Sequence, residues 1–370
     1  MKIALIIFRI GPSHGSILQT YALTRKLESM GHCVTIINRR RPIKLRDYTM
    51  CLRRVLKNTL RGNFSFSDFY LGSYPDMVMN QLNLFVDEQL KPQMITVTSE
   101  KKLREIGLSD YDAFVVGSDQ TWRPKYVYNV YNYYLDFVPR DRVVKRIAYA
   151  PSFGTSDWEY TKEQEDKCRQ LVSLFNGISV REDDGVKLCK EHYGINAELV
   201  LDPTMLLTGQ DYMRFVHQTP RDRYVGFNFL DFTDSKLLAV QSASSIMGLP
   251  SRQLISMGDN SKSSKERIAP AIEDWLSGIA NSELVLVDSF HATVFCILFH
   301  RNFITIGNKE RGLSRFTSLL KIVGLEERLI KEGDKVSEDL INNSIDWDQV
   351  ENKLKSKREN SMNFLSKLLV

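Results

Sequence analysis

The stretch Leu284-Val-Leu-Val-Asp-Ser-Phe-His-Ala-Thr-Val-Phe-Cys-Ile-Leu-Phe299 runs four apolar residues into Asp288-Ser289 and then into an apolar segment that starts at His291. A short apolar run closed by a helix-capping pair, followed by helix-forming residues, is one strand and one helix of a parallel sheet with helices on its faces. The strand end then places free backbone N–H groups and the positive end of a helix dipole beside His291, a setting that favours an anion.

The same alternation extends in both directions from this unit. Towards the amino terminus the pattern predicts strands at 2–8, 32–38, 111–116 and 146–150, with a first helix at about 16–30 after a turn containing Gly11, Pro12 and Gly15. A turn at 151–154 and a charged helix near 161–175 then lead to a second series. Its predicted strands are 177–180, 197–201, 224–229, 253–257, 284–287 and 303–306, with helices at 184–193, 235–247, 271–281, 291–299 and 315–323. With 370 residues, more than one compact core usually holds, the prediction is two Rossmann-like α/β domains facing a cleft. They are expected at residues 1–155 and 156–345, with an amphipathic helix at 346–370 packing back on the first. Residues 41–92 lose the alternation and read as an insertion of basic, aromatic and helical pieces.

Composition removes several function classes. The chain is 43% hydrophobic and 26% charged, which suits a globular protein. Its longest apolar runs fall short of the roughly 20 residues that cross a bilayer, and the first lacks the length and cleavage site of a secretory signal. A cytoplasmic location is therefore expected. Five scattered cysteines, with no pair at metal-ligand spacing, point to reduced thiols and no metal site. A net charge of +5 is too mild to imply nucleic acid. Nine Lys and Arg residues nevertheless fall between Arg39 and Arg61, opposed there only by Asp47. With Phe64, Phe66, Phe69 and Tyr70 following, this segment suits either a solvated basic face or a surface resting on anionic lipid or a lipid diphosphate.

Chemistry should gather at strand ends. His291 can bind an anion and exchange a proton near neutral pH, although a helix cap at Ser289 with a histidine satisfying the turn gives the same pattern. His300, at the far end of that helix, fits a C-terminal cap. Arg181 follows the strand 177–180 and can grip a carboxylate or phosphate with its planar fork, or pair with Glu182 or Asp183. Ser118, Asp119 and Gln120 follow Gly117 with Trp122 behind, either to hold hydroxyl-rich ligands or to cap a helix. The turn Gly11-Pro-Ser-His-Gly-Ser16 lacks the GxGxxG spacing of a dinucleotide site, so NAD or FAD is disfavoured. Arg9, Arg311 and Arg315 stand at loop and helix starts.

Together these segments resemble the polysaccharide pyruvyl transferase family. The likeness is carried by His14-Gly-Ser-Ile-Leu-Gln-Thr-Tyr-Ala-Leu23, Val116-Gly-Ser-Asp-Gln-Thr-Trp122, Ile178-Ser-Val-Arg-Glu182, Leu201-Asp-Pro-Thr204 and Val287-Asp-Ser-Phe-His-Ala-Thr-Val-Phe295, in order along most of the chain. It implies a GT-B-like fold and transfer of the enolpyruvyl group of phosphoenolpyruvate to a sugar, without a cofactor, leaving a pyruvate ketal. It makes His291 the expected general acid and base. It likewise makes Arg181 and Ser289, with the helix N-terminus, the expected donor contacts; Arg311 and Arg315 join them by their positions at loop and helix starts, and motif placement makes Ser118, Asp119, Gln120 and His14 the expected acceptor contacts. The first domain would then hold the acceptor, a saccharide carried on a polyprenyl diphosphate in surface-polysaccharide assembly, and the second the donor. Two departures touch the site: Ala292 stands where the family often has Gly, and Ser13-His14 where it has Asn and an aromatic. A glycosyltransferase using a nucleotide sugar and a non-catalytic sugar-binding protein are the competing expectations on the same scaffold.

Overall fold

The computed structural model describes residues 1–60, 71, 76–217, 223–257, 267–307 and 313–370. Arg61, Phe64, Phe66, Phe69, Tyr70, the polar loop 261–265 and Arg311 lie outside the described residues.

Two parallel sheets form the frame. The first contains β1 (Lys2–Ile7), β2 (Cys33–Arg39), β3 (Met94–Val97), β4 (Ala113–Val116), β5 (Lys145–Ala148), β6 (Gly177–Val180) and β7 (Glu198–Leu199), in the spatial order β3-β2-β1-β4-β5-β6-β7. The second contains β8 (Val225–Asn228), β9 (Ser251–Gln253), β10 (Leu284–Val287), β11 (Asn302–Gly307) and β12 (Leu329–Lys331), in the order β12-β11-β10-β8-β9. Central strands β4 and β10 are buried at every residue, because helices cover both faces of each sheet. Both strand orders reverse once, between β1 and β4 in the first sheet and between β8 and β10 in the second. These are the two doubly wound, Rossmann-like orders.

The topology corrects the expected boundary near residue 155. Strands β6 and β7, expected to open the second series, extend the first sheet: β6 pairs with β5 through Ile147↔Gly177 and Ala148↔Ile178, and β7 pairs with β6. The sheets therefore divide between Leu199 and Val225. A parallel strand carries no local mark of the sheet it joins, since its partners are set by tertiary packing rather than by its own pattern. In the same way β9 lies earlier than expected, and the short strands β3 and β12 carry too few residues to show a period.

One apolar core joins the two sheets. Ile3 and Leu5 of β1 and Ile17, Leu18 and Tyr21 of the helix His14–Ser29 belong to the same buried cluster as Trp275, Val285, Val287 and Phe295 of the second half. The C-terminal helix Trp347–Leu368 adds a strap. Trp347 stacks on His300 beside the second sheet, while Ser361 Oγ accepts from Leu201 N at 2.9 Å and Leu368 covers Gly177 of β6.

At the end of β10, Asp288 is wholly buried. It accepts from Lys236 Nζ at 2.7 Å and from the backbone N–H groups of Leu230 and Asp231. Lys236, also without exposure, projects from the helix Asp234–Met247. Removing one partner of a buried pair strands the other, at a cost of ~3–5 kcal/mol. Lys236→Met should lower the stability measured by urea unfolding by about that amount, and an effect under ~1 kcal/mol would show that water reaches Asp288.

Candidate active site between the two sheets

In doubly wound sheets a crevice opens beyond the strand ends where the order reverses. Here both reversals face each other across one cavity of about 270 Å3. Phe8, Asp119 and Gln120 line it from the ends of β1 and β4, and Asn228, Leu230, Asp288 and Ser289 from the ends of β8 and β10.

Three helices begin at this wall: His14–Ser29, Phe290–Leu298 and Ser314–Val323. Their first residues His14, Gly15, Phe290, His291, Arg315 and Phe316 all line the cavity. Ser13 caps the first helix by accepting from Ser16 N at 3.3 Å. Ser289 at the second and Leu313 at the third make no side-chain cap bond, so those first-turn N–H groups lack that partner. Three positive dipole ends converging on one space make it strongly attractive to an anion. Arg315 reinforces this charge. Burial, and then the nearby Arg181, lower its pKa to about 10, which leaves it a cation at neutral pH.

His291 reaches this space from the second sheet and is held from the first. Its imidazole packs against Gly15, where an added Cβ would stand 2.1 Å from Cγ and Nδ1. Its Nε2 is buried without a hydrogen-bond partner and sits 3.6 Å from Asp202 Oδ2. Asp202 is almost wholly buried. Burial alone would raise its pKa, but Arg181, His291 and Thr204 outweigh that and hold the carboxyl well below the usual carboxylate range. Its Oδ1 accepts from Thr204 N at 3.0 Å and from Thr204 Oγ1 at 2.6 Å, which aims Oδ2 at Arg181 and His291. The sequence displays Asp202 only within Leu201-Asp-Pro-Thr204, one of the segments that carry the family resemblance, and nothing local to it marks its contact with His291.

Arg181, expected as a donor contact, stands behind the cavity wall in this structure. Its side chain is 1% exposed and does not line the cavity; it donates to Asp202, to Gln19 Oε1 at 3.3 Å and to Ser118 Oγ at 3.4 Å, and pairs with Asp119 Oδ1 at 3.4 Å. Phe290 adds a ring face 4.8 Å from its guanidinium carbon. Ser118, expected as an acceptor contact, also stands behind the wall, donating to Ala150 O at 2.7 Å. The other expected residues, His291, Ser289, Arg315, Asp119, Gln120 and His14, come together at the cavity. Ala292 points away from it, with its Cβ in the shared core, so this departure does not narrow the site.

Asp119 has φ 77° and ψ −173°, a region that costs a residue with a Cβ about 1–3 kcal/mol. Its conformation is enforced by Ser152 N, which donates to Asp119 O at 2.8 Å, and by the isolated bridge to Pro151. Strain maintained by neighbours in this way turns the 119–120 step into the cavity. Gln120 packs on Gly154, where a Cβ would stand 2.1 Å from its Oε1, and accepts from Arg123 Nη1 at 2.9 Å.

His14 is stacked on Trp275 at 4.9 Å between ring centroids, and its Nε2 lies 2.9 Å from Pro270 O, so that nitrogen carries the proton. Burial lowers its pKa from 6.5 to about 4 despite the carbonyl, leaving a neutral ring with Nδ1 as an acceptor. Between those values the unfolded chain binds more protons than the folded one, so stability rises with pH across that window. The group should remove ~3 kcal/mol of stability as pH falls from 6.5 to 4, with no further loss below. His14→Gln should flatten that part of a urea-unfolding pH series. Identical slopes in both proteins would show that His14 is protonated in the fold.

No curated protein matches the chain. Among solved structures, the glycotransferase of kitacinnamycin is similar over 99% of each chain, with 11% identity and a TM-score of 0.50, a likeness of fold. UDP-N-acetylglucosamine 2-epimerase from Rickettsia bellii covers 99% of this chain and 96% of its own at 10% identity and a TM-score of 0.48. UDP-GlcNAc 2-epimerase from Methanocaldococcus jannaschii covers 96% and 92% at 12% and 0.49. The fold is GT-B-like, with two Rossmann-like halves. The sequence profile described as polysaccharide pyruvyl transferase matches residues 14–310, from the start of the helix His14–Ser29 past the helix Phe290–Leu298 and β11, and the chain belongs to that family.

Proposed function

We propose that this transferase moves the enolpyruvyl unit of phosphoenolpyruvate onto a saccharide and closes it as a pyruvate ketal, in surface-polysaccharide assembly. The observation that carries the proposal is the convergence of three helix N-termini and Arg315 on a cavity that also holds His291. The donor bears a carboxylate and a phosphate on one small carbon frame, and these groups need many N–H donors in a small space. A cavity of about 270 Å3 falls just below the roughly 300–1,000 Å3 typical of small-molecule sites, which favours a three-carbon donor over a nucleotide sugar.

The chemistry is redox-neutral and calls for no cofactor. A protonated His291 gives its proton to the methylene carbon of the donor, and the neighbouring carbon becomes an oxocarbenium centre. A sugar hydroxyl attacks that carbon and returns a proton to His291. Phosphate then leaves with the electrons of its C–O bond, and a second hydroxyl closes the ring, its proton passing to phosphate. Asp202 faces the imidazole at 3.6 Å and is the group placed to orient it, while Arg181 fixes Asp202. Asp119, Gln120 and His14, which line the cavity from the first-sheet side, would then contact the acceptor hydroxyls. The polyprenyl-linked form of the acceptor belongs to the same proposal.

The deciding assay is phosphate release from phosphoenolpyruvate with a panel of galactose-, glucose- and mannose-terminated acceptors, each checked by mass for the added ketal. Release that requires one acceptor supports the proposal. No release from any, with thermal protection by a nucleotide sugar, would replace it with glycosyl transfer. His291→Asn should reduce turnover about 10²- to 10⁴-fold with donor binding retained. Gly15→Ala, which must displace the imidazole, should reduce it about 100-fold in a folded protein, and wild-type rates in that variant would remove His291 from the reaction.

A further inference from the structure

The helix Leu45–Leu60 leaves the end of β2 and buries only Asp47 and Val55. Leu45, Tyr48, Leu52, Leu56 and Leu60 recur at helical spacing and stand in water at 53–87% exposure. Arg46, Arg53 and Lys57 form an adjacent exposed stripe with no ion pair among the described residues. Its one acid, Asp47, is turned inward and held by Arg41 through two bonds of 2.7 Å. An apolar stripe on a surface helix normally faces the core, and here it does not.

We infer that this helix docks the chain on an anionic bilayer surface, with its leucines among the acyl boundary and its basic stripe on the lipid phosphates. Apolar insertion beside unneutralised Arg and Lys is the pattern of an interfacial helix. A second copy fits less well, because a two-fold contact through this face would bring two basic stripes together.

The face is continuous with the cavity mouth. Ile43 and Tyr128 are exposed beside it, Lys44 Nζ lies 5.6 Å above the Tyr128 ring, and Tyr126, which lines the cavity, is 41% exposed. Arg40 ties the helix start to the β1 loop by donating to Ile10 O at 3.2 Å. Tyrosines at headgroup depth are themselves interfacial anchors. The docked chain therefore presents its cavity to the headgroup layer, where a saccharide on a lipid diphosphate would stand. That last step rests on the proposed function, whereas the docking does not.

Flotation of the full chain with phosphatidylcholine vesicles, and with vesicles that also contain phosphatidylglycerol, tests the inference. The chain should float with the mixed vesicles only and should be released by high salt. Arg53→Ala with Lys57→Ala should weaken partitioning about 30-fold, and Leu52→Glu with Leu56→Glu should abolish it. Both double variants should keep the wild-type thermal midpoint and phosphate release with a water-soluble acceptor. Absence of the chain from mixed vesicles, or equal flotation of the leucine variant, overturns the docking. So does a wild-type dimer that the leucine variant dissociates, which would assign the face to a second copy. Failure of the phosphate-release assay leaves the vesicle result unchanged, so the two proposals fail separately.

Discussion

At position 15 the backbone of the first helix lies directly under the imidazole of His291, leaving no room for a Cβ. The helix His14–Ser29 belongs to the first half of the chain and His291 to the second, so this contact sets how closely the two switch points approach. Glycine is needed here for proximity and not for an unusual φ. With the helices this close, one end of Asp202 can face both Arg181 and His291, and the three dipole ends share one cavity.

The Arg181–Asp202 pair is poor evidence of stability, because withdrawing two charges from water offsets most of their attraction. Its effect is geometric. Thr204 occupies one carboxylate oxygen and Arg181 the other, so Asp202 has no alternative position from which to face the imidazole. Asp119 is fixed in a comparable way by Ser152, Pro151 and Arg181. Side chains with only one conformation available lose little freedom when a ligand arrives, which is how a site on loop ends becomes preorganised.

How much of this was legible in the sequence depended on the range of the interaction. The unit from Leu284 to Phe299 could be read because a buried strand and its helix are local patterns, and His291 stood at their junction. The doubly wound class followed from repetition of that unit. Sheet membership of β6 and β7 did not, since it is decided by Ile147 and Ala148, about thirty residues earlier. Arg181 looked like an anion ligand because a guanidinium at a strand end serves a ligand or a buried acid equally well, and its partner Asp202, 21 residues on, carries no local mark of the pairing. Position 15 appeared only as one glycine of a turn; its contact is with a residue 276 positions away, as 291 minus 15 shows.

The shared apolar core also bears on how this molecule fails. Many two-lobed enzymes have a polar seam between lobes, and each lobe can melt alone. Here Leu5, Ile17, Trp275 and Phe295 belong to one buried cluster, and the C-terminal strap spans both sheets. Separating the lobes would expose that cluster, so the lobes are cooperatively bound into one melting unit. A destabilising change anywhere in either half then subtracts its full free energy from the stability that keeps the site intact, even when it lies far from any substrate.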